Sequence, residues 1–290
     1  MDSPELVLSN DATVAHGRKA KSDMSLDLFG IRSVLFLPAS NPRAIEKARE
    51  AGSDLVVLDL EDAVKPEDKD KARQAAVEAV SGEWPMPVAI RINGIGTDWH
   101  GQDLVAATHC KADLIVVPRV EDAEELSFVR KQSGKPVAAM VETARGVLAV
   151  QAITHDCAAL IAGTNDLRSS LHLPLESGRE PISMSLQMIV LAARAAGIAV
   201  FDGVYNKLDD LDGFVAEAAD GRALGFDGKS LIHPSQIEPC HLAFAPSDAE
   251  VERARKLVEA FHGGAERFEN EMIERMHIDQ AERLLARARS

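Results

Sequence analysis

Eight short apolar runs, each bounded by polar or turn-forming residues, recur along this chain and alternate with segments of helical pattern. They read SVLFLPA (33–39), LVVLDLE (55–61), PVAIRIN (87–93), LIVVPRV (114–120), PVAAMV (136–141), CAALIAG (157–163), AVFDGV (199–204) and FDGKSLIHP (226–234). A run this short, apolar at both parities, suits a strand covered on both faces, as parallel sheets require. The segment after the first run opens on Asn41-Pro42, with proline at a first helical position, and stops at Gly52. DKDKARQAAVEAV (68–80) is amphipathic, and SLQMIVLAARAAG (185–197) ends on glycine. Strand and helix alternating eight times predicts an α/β protein of the closed (β/α)₈ TIM barrel type. The runs fall between Ile31 and Phe244, at the short end of a range that starts at about 200 residues. An open doubly wound sheet usually carries a glycine-rich phosphate turn after its first strand. Here that turn reads PASNPR.

A barrel of this kind does its chemistry at the C-terminal ends of its strands. Those ends hold Ser40 and Asn41, then Asp59, Glu61 and Asp62, then Arg91 and Asn93, Pro118 and Arg119, Glu142, Asp166, Asp202, and finally Lys229 and His233. So many charges are costly if buried unpaired, and cheap if a cation and an anionic ligand share the space. Glu142 and Asp166 close successive runs, so both reach one face. Two carboxylates with open positions around them suit Mg²⁺, which takes one or two protein carboxylates and keeps its waters. Either also fits as the cap of a following helix, in Glu142-Thr143 or Thr164-Asn165-Asp166. Arg91 is the anion-binding candidate, because a guanidinium grips a carboxylate through two parallel hydrogen bonds. A salt bridge to Glu61 or Asp62 is its alternative role. Glu61 and Asp62 are placed to hold metal-bound waters from behind the ligands. Arg73 is expected to pair with Asp62, and Asp202 to orient the turn at Gly203.

The chain is 290 residues long, 46% hydrophobic, with a net charge of −14. That charge argues against non-specific binding to nucleic acid or to an anionic membrane. Cys110, Cys157 and Cys240 form no CxxC pair, so the expectation is a reducing compartment with neither disulfide framework nor zinc site. No run approaches the length of about 20 apolar residues that a bilayer span needs. No apolar signal core stands at the N-terminus. A cytoplasmic location is therefore expected. Residues 1–30, polar and aperiodic with a small basic cluster at His16, Arg18, Lys19 and Lys21, are expected to be a mobile arm. Residues 31–246 are expected to form the barrel. Residues 247–290 read as two charged helices, DAEVERARKLVEAFHGG and ENEMIERMHIDQAERLLARARS, forming a subunit contact.

Taken in order, RSVLFLPASNPRAIEKA, DLVVLDLEDAV, AIRINGIGTDW, MVETARGVL, GTNDL, AGIAVFDGVY and LGFDGKSLIHPSQI resemble the citrate lyase beta subunit-like family. That family includes the malyl-CoA and citramalyl-CoA lyases of the phosphoenolpyruvate/pyruvate barrel superfamily. The resemblance runs from about Arg32 to Pro246. It implies Mg²⁺-dependent, reversible carbon–carbon cleavage of a 3-hydroxyacyl-CoA thioester to acetyl-CoA and a 2-oxo acid. Glu142 and Asp166 would be the metal ligands and Arg91 would bind the oxo-acid carboxylate. Arg32 and the 38–40 turn would lie near the thioester carrier. Members often end in a Gly-Lys-Met-(Ile/Val)-Asp segment whose aspartate enters a neighbouring subunit's site as acid/base. The corresponding stretch here is Glu271-Met272-Ile273-Glu274, one methylene longer at the carboxylate, which makes Glu274 the acid/base candidate of a homotrimer. A citryl-thioester lyase, hydrolysis of the thioester, and a non-catalytic barrel that keeps the metal pocket are the alternatives.

Overall fold

In the computed structural model, which describes residues 26–288, every one of the eight runs contains a strand. The strands are β1 (Ser33–Pro38), β2 (Leu55–Asp59), β3 (Val88–Arg91), β4 (Leu114–Val117), β5 (Val137–Val141), β6 (Ala159–Ala162), β7 (Ala199–Asp202) and β8 (Gly228–Leu231). They pair in chain order, all parallel, and β8 closes on β1 through Ser33↔Lys229 to Leu35↔Leu231. Alternating with them are α1 (Pro42–Ala48), α2 (Lys69–Ser81), α3 (His100–His109), α4 (Ala123–Ser133), α5 (Ala144–Ile153), α6 (Thr164–Ser170), α7 (Ser183–Ala196), α8 (Leu211–Leu224) and α9 (Ile237–Phe244).

Of the helix stops read from the sequence, Gly197 closes its helix, whereas α1 ends at Ala48 with Arg49 as its cap, before Gly52. Gly134 and Gly197 follow α4 and α7 at φ 64° and 68°, the left-handed conformation in which glycine meets no Cβ penalty. Asn41 caps α1, accepting from the Ala44 N–H at 3.2 Å.

Side-chain parity divides each strand between two cores. Val34, Leu55, Val57, Ala89, Leu114, Val116, Ala138, Met140, Ala159, Ile161, Ala199 and Phe201 fill the barrel interior. Leu35, Leu37, Val56, Leu58, Ile90 and Val117 face the helices. Leu28, assigned to the arm, joins the interior cluster beside Ile31, while Phe29 is exposed. Residues 1–25 of that arm, including the basic cluster, lie outside the described residues.

The C-terminal extension departs from two plain helices. It folds as α10 (Asp248–Ala260), a hairpin of β9 (Glu266–Phe268) and β10 (Glu271–Ile273), and α11 (Arg275–Arg287). Glu269, at φ 52°, turns the hairpin. Strand pairing, from Glu266↔Ile273 to Phe268↔Glu271, takes up residues whose apolar spacing alone reads as helical. The extension packs α10 on α11 and turns towards the N-terminal pole of its own barrel. There the Arg287 guanidinium bonds the Asp227 carbonyl, just before β8. Ile273 and Ile278 are buried within this chain, whereas Met272 and Met276 are exposed.

Candidate active site

Parity decides which polar strand ends meet. Asp59 continues the inward set Leu55/Val57, Arg91 continues Ala89, and Glu142 continues Ala138/Met140, one residue past the end of β5. All three, with Asp166, Thr164 and Ser230, line one cavity of about 430 Å³ at the C-terminal ends of the strands. Asp202 and Lys229 have the opposite parity. They pair at 3.0 Å between sheet and helices, together with Glu217 of α8 and Arg179. Asp202 also accepts the Gly203 N–H at 2.8 Å, the turn-orienting role expected of it. His233 is exposed and bonds Ser235 at 2.8 Å.

Neither Glu142 nor Asp166 is a helix cap. Thr143 caps α5, accepting from the Gly146 N–H at 3.0 Å. The residue before α6 is Gly163, which has no side chain to cap with. Asp166 stands in the first turn of α6 rather than on β6. The Glu142 side chain runs against Gly163, where an added Cβ would come within 2.3 Å of both its Cβ and its Oε2. Glycine is therefore required for Glu142 to lie where it does.

Glu142 is buried to 2% exposure. Burial, then the charges of Asp166 and Glu61, push its carboxyl up from 4.5 to about 7. Its Oε1 accepts a hydrogen bond from the Arg119 N–H at 2.6 Å. The Arg119 guanidinium also reaches Asp166 Oδ1 at 3.2 Å. Glu61 behaves similarly to Glu142: burial holds its carboxyl above the usual range although Arg91 Nη1 lies 2.7 Å from Oε2. That oxygen sits off the N–H line and makes no hydrogen bond.

These observations fit a divalent cation. Two carboxylates line one cavity, and the buried one lies close enough to the other for its charge to raise the carboxyl. Oxygen donors match Mg²⁺, which needs only one or two protein carboxylates. Among the described residues, no group of three or more His, Cys, Asp or Glu side chains is placed to hold a metal, so the pair would leave positions open for water and substrate.

Arg91 differs from the simplest expectation. Its Nε and Nη2 grip both oxygens of Asp59 at 2.6 Å each, so the two-pronged face is already engaged by protein. Asp59 in turn accepts the N–H groups of Glu61 and Ala63 at 2.8 and 3.0 Å. One carboxylate thus locks the turn after β2 to the arginine of β3. What Arg91 leaves toward the cavity is Nη1, shared with Glu61 and close to Met140 Sδ at 3.7 Å. Asp62 lines the cavity, but Arg73 turns away from it to Asp103 and Asp70 at 2.6 and 2.7 Å.

Two expected site residues lie elsewhere. Arg32 precedes β1 and pairs with Asp54, which precedes β2. It is therefore at the N-terminal pole, a strand length from the cavity, because a residue before a strand cannot reach that strand's far end. Glu274 is exposed at the start of α11 and does not line its own chain's cavity.

Three contributors carried no separate signal in the sequence reading. Lys69, buried, donates to the Leu60 and Glu61 carbonyls and to Asn93 Oδ1 at 2.7–2.8 Å, fastening the loops after β2 and β3. The hydroxyls of Thr164 and Ser230 are buried beside the cavity without a protein hydrogen-bond partner. Ser230 was within reach of the parity argument, since β8 places it inward with Gly228.

The match to known proteins follows this geometry. The family model HpcH/HpaI aldolase/citrate lyase fits residues 32–234. A (3S)-malyl-CoA thioesterase of Cereibacter sphaeroides (strain ATCC 17029 / ATH 2.4.9) is 39% identical over 89% of this chain and 94% of its own. The citrate lyase subunit beta of Escherichia coli (strain K12) is 30% identical over 89% of this chain and 93% of its own. The structure of CitE from Mycobacterium tuberculosis in complex with magnesium, acetoacetate and coenzyme A superposes with a TM-score of 0.81. It is 31% identical and covers 91% of this chain and 100% of that one. A closed parallel barrel, carboxylates at the mouth and this sequence match together establish that the chain belongs to the HpcH/HpaI aldolase/citrate lyase family.

Proposed function

We propose that this protein is a Mg²⁺-dependent lyase that cleaves, or forms, the carbon–carbon bond of a 3-hydroxyacyl-CoA thioester such as malyl-CoA or citramalyl-CoA, giving acetyl-CoA and a 2-oxo acid. The observation that carries this reading is the pair Glu142 and Asp166 at one cavity with Arg91 beneath them. Bound there, Mg²⁺ supplies a Lewis acid for the oxo-acid carbonyl. Glu142, fixed by the Arg119 N–H and Gly163, and Asp166 hold that position. Arg91, anchored on Asp59, offers Nη1 to the ligand carboxylate and so sets its orientation. Glu61 and Asp62 stand behind as acceptors for ordered water. The proton at the acetyl carbon needs an acid/base, and Glu274 from a second copy in a homotrimer is the proposed one. Its own chain holds it away from the cavity.

Hydrolysis of the thioester is the second reading. It is favoured by the 39% identity to a (3S)-malyl-CoA thioesterase. One incubation separates them. Malyl-CoA with Mg²⁺ is expected to release glyoxylate without free thiol. Malate and free CoA would assign the chain to hydrolysis, and no turnover of malyl-, citramalyl- or citryl-CoA would overturn both.

A further inference from the structure

Arg119 touches both carboxylates of the metal pair, with two different parts of itself. Its backbone N–H donates to Glu142 Oε1 at 2.6 Å, and its guanidinium Nη1 donates to Asp166 Oδ1 at 3.2 Å. Its backbone is left-handed, φ 51°, a conformation that a residue with a Cβ adopts only against steric resistance. That twist comes immediately after β4 and accompanies the amide's contact with Glu142.

We infer that the Arg119 guanidinium is the counter-charge a divalent cation displaces from Asp166, while the Arg119 N–H stays on Glu142 and keeps it oriented. This rests on Glu142 and Asp166 being the metal ligands.

The two arginines at the site differ in the way this requires. Arg91 is 9% exposed and forked onto Asp59 by two contacts of 2.6 Å, so it cannot leave without stranding a buried charge. Arg119 and Asp166 side chains are 54% and 36% exposed, joined by one contact. A pair so open to water is weak. Its guanidinium can swing into solvent with little desolvation to overcome. A dication held between two carboxylates gains more from Asp166 than one half-solvated guanidinium does. Among the described residues, Arg119 is the cation paired with Asp166, so the exchange is one cation for another. A purely structural strap between β4 and α6 is the competing account. It demands the opposite sign, because cutting a strap loosens Asp166 and weakens metal binding.

Arg119→Gly removes the guanidinium, keeps the N–H and relieves the left-handed backbone. Arg119→Gln is a second variant that keeps most of the side chain without its charge, and Arg119→Lys keeps the charge. Mg²⁺ is titrated by calorimetry into each EDTA-dialysed protein. Arg119→Gly and Arg119→Gln are expected to bind Mg²⁺ about threefold to fivefold more tightly than wild type, the size of the competition an exposed pair offers. The gap should shrink as added KCl screens the pair, and Arg119→Lys should stay near wild type. Equal or weaker Mg²⁺ binding in the uncharged variants overturns the inference and leaves the metal pair standing. No Mg²⁺ binding by wild type or any variant overturns the metal reading and the inference with it.

Discussion

Glu142→Gln is expected to stabilise the metal-free protein while abolishing its protection by Mg²⁺. Glu142 is 2% exposed, and its surroundings raise its carboxyl from 4.5 to about 7. At about 1.4 kcal/mol per pKa unit, the ionised carboxylate costs the metal-free fold about 3 kcal/mol above neutral pH. The sign follows from the direction of the shift. The folded protein binds this proton more tightly than the unfolded chain, so the contribution is intact below pH 4.5 and is lost as pH rises through about 7. Glutamine is neutral and nearly isosteric, and its carbonyl can still accept the Arg119 N–H. Thermal melts in EDTA at about pH 8 should therefore place the variant above wild type by about 2–3 kcal/mol, several degrees for a chain of this size. The gap should close toward pH 4.5. Adding MgCl₂ should raise the wild-type melting temperature, because the cation binds only the folded state, and leave the variant unmoved. A variant less stable than wild type in EDTA near pH 8, or one that keeps the Mg²⁺-dependent rise, would refute this reasoning.

Two further outcomes bear on the site. Arg91→Lys is expected to lose about 2 kcal/mol of 2-oxo acid affinity, roughly thirtyfold, the scale of a charged hydrogen bond. It should also melt lower, because one ammonium cannot replace the fork on Asp59. Unchanged affinity for pyruvate or glyoxylate in calorimetry would confine Arg91 to holding Asp59. Asp166→Ala and Glu274→Gln should each be nearly inactive alone and regain activity once mixed and exchanged. No recovery, with exchange confirmed by native mass spectrometry, would exclude a site shared between subunits.

The barrel was legible in the sequence because its signal is local and repeated. Apolar at both parities means covered on both faces, and eight such runs between helices leave a closed parallel sheet as the compact solution. Gly197 marked a helix end for the same reason: a left-handed residue is a local requirement. The pairing of Glu142 with Asp166 was legible too, since successive strand ends share a face. What sequence position could not decide was direction and partnership. Asp202 ends its strand as Asp59 and Arg91 end theirs, yet parity turns it outward into an ion pair with Lys229 near the start of β8. Arg32 belongs to a matching motif but precedes its strand, which puts it at the wrong pole. The fork of Arg91 on Asp59, the reach of Arg119 to two carboxylates and the clearance Gly163 leaves for Glu142 join residues far apart in the chain. Such contacts depend on register and closure to within an ångström, and only the folded barrel sets them. The tail shows the same limit, for its apolar spacing fits helix and hairpin alike, and pairing between Glu266–Phe268 and Glu271–Ile273 decided for the hairpin.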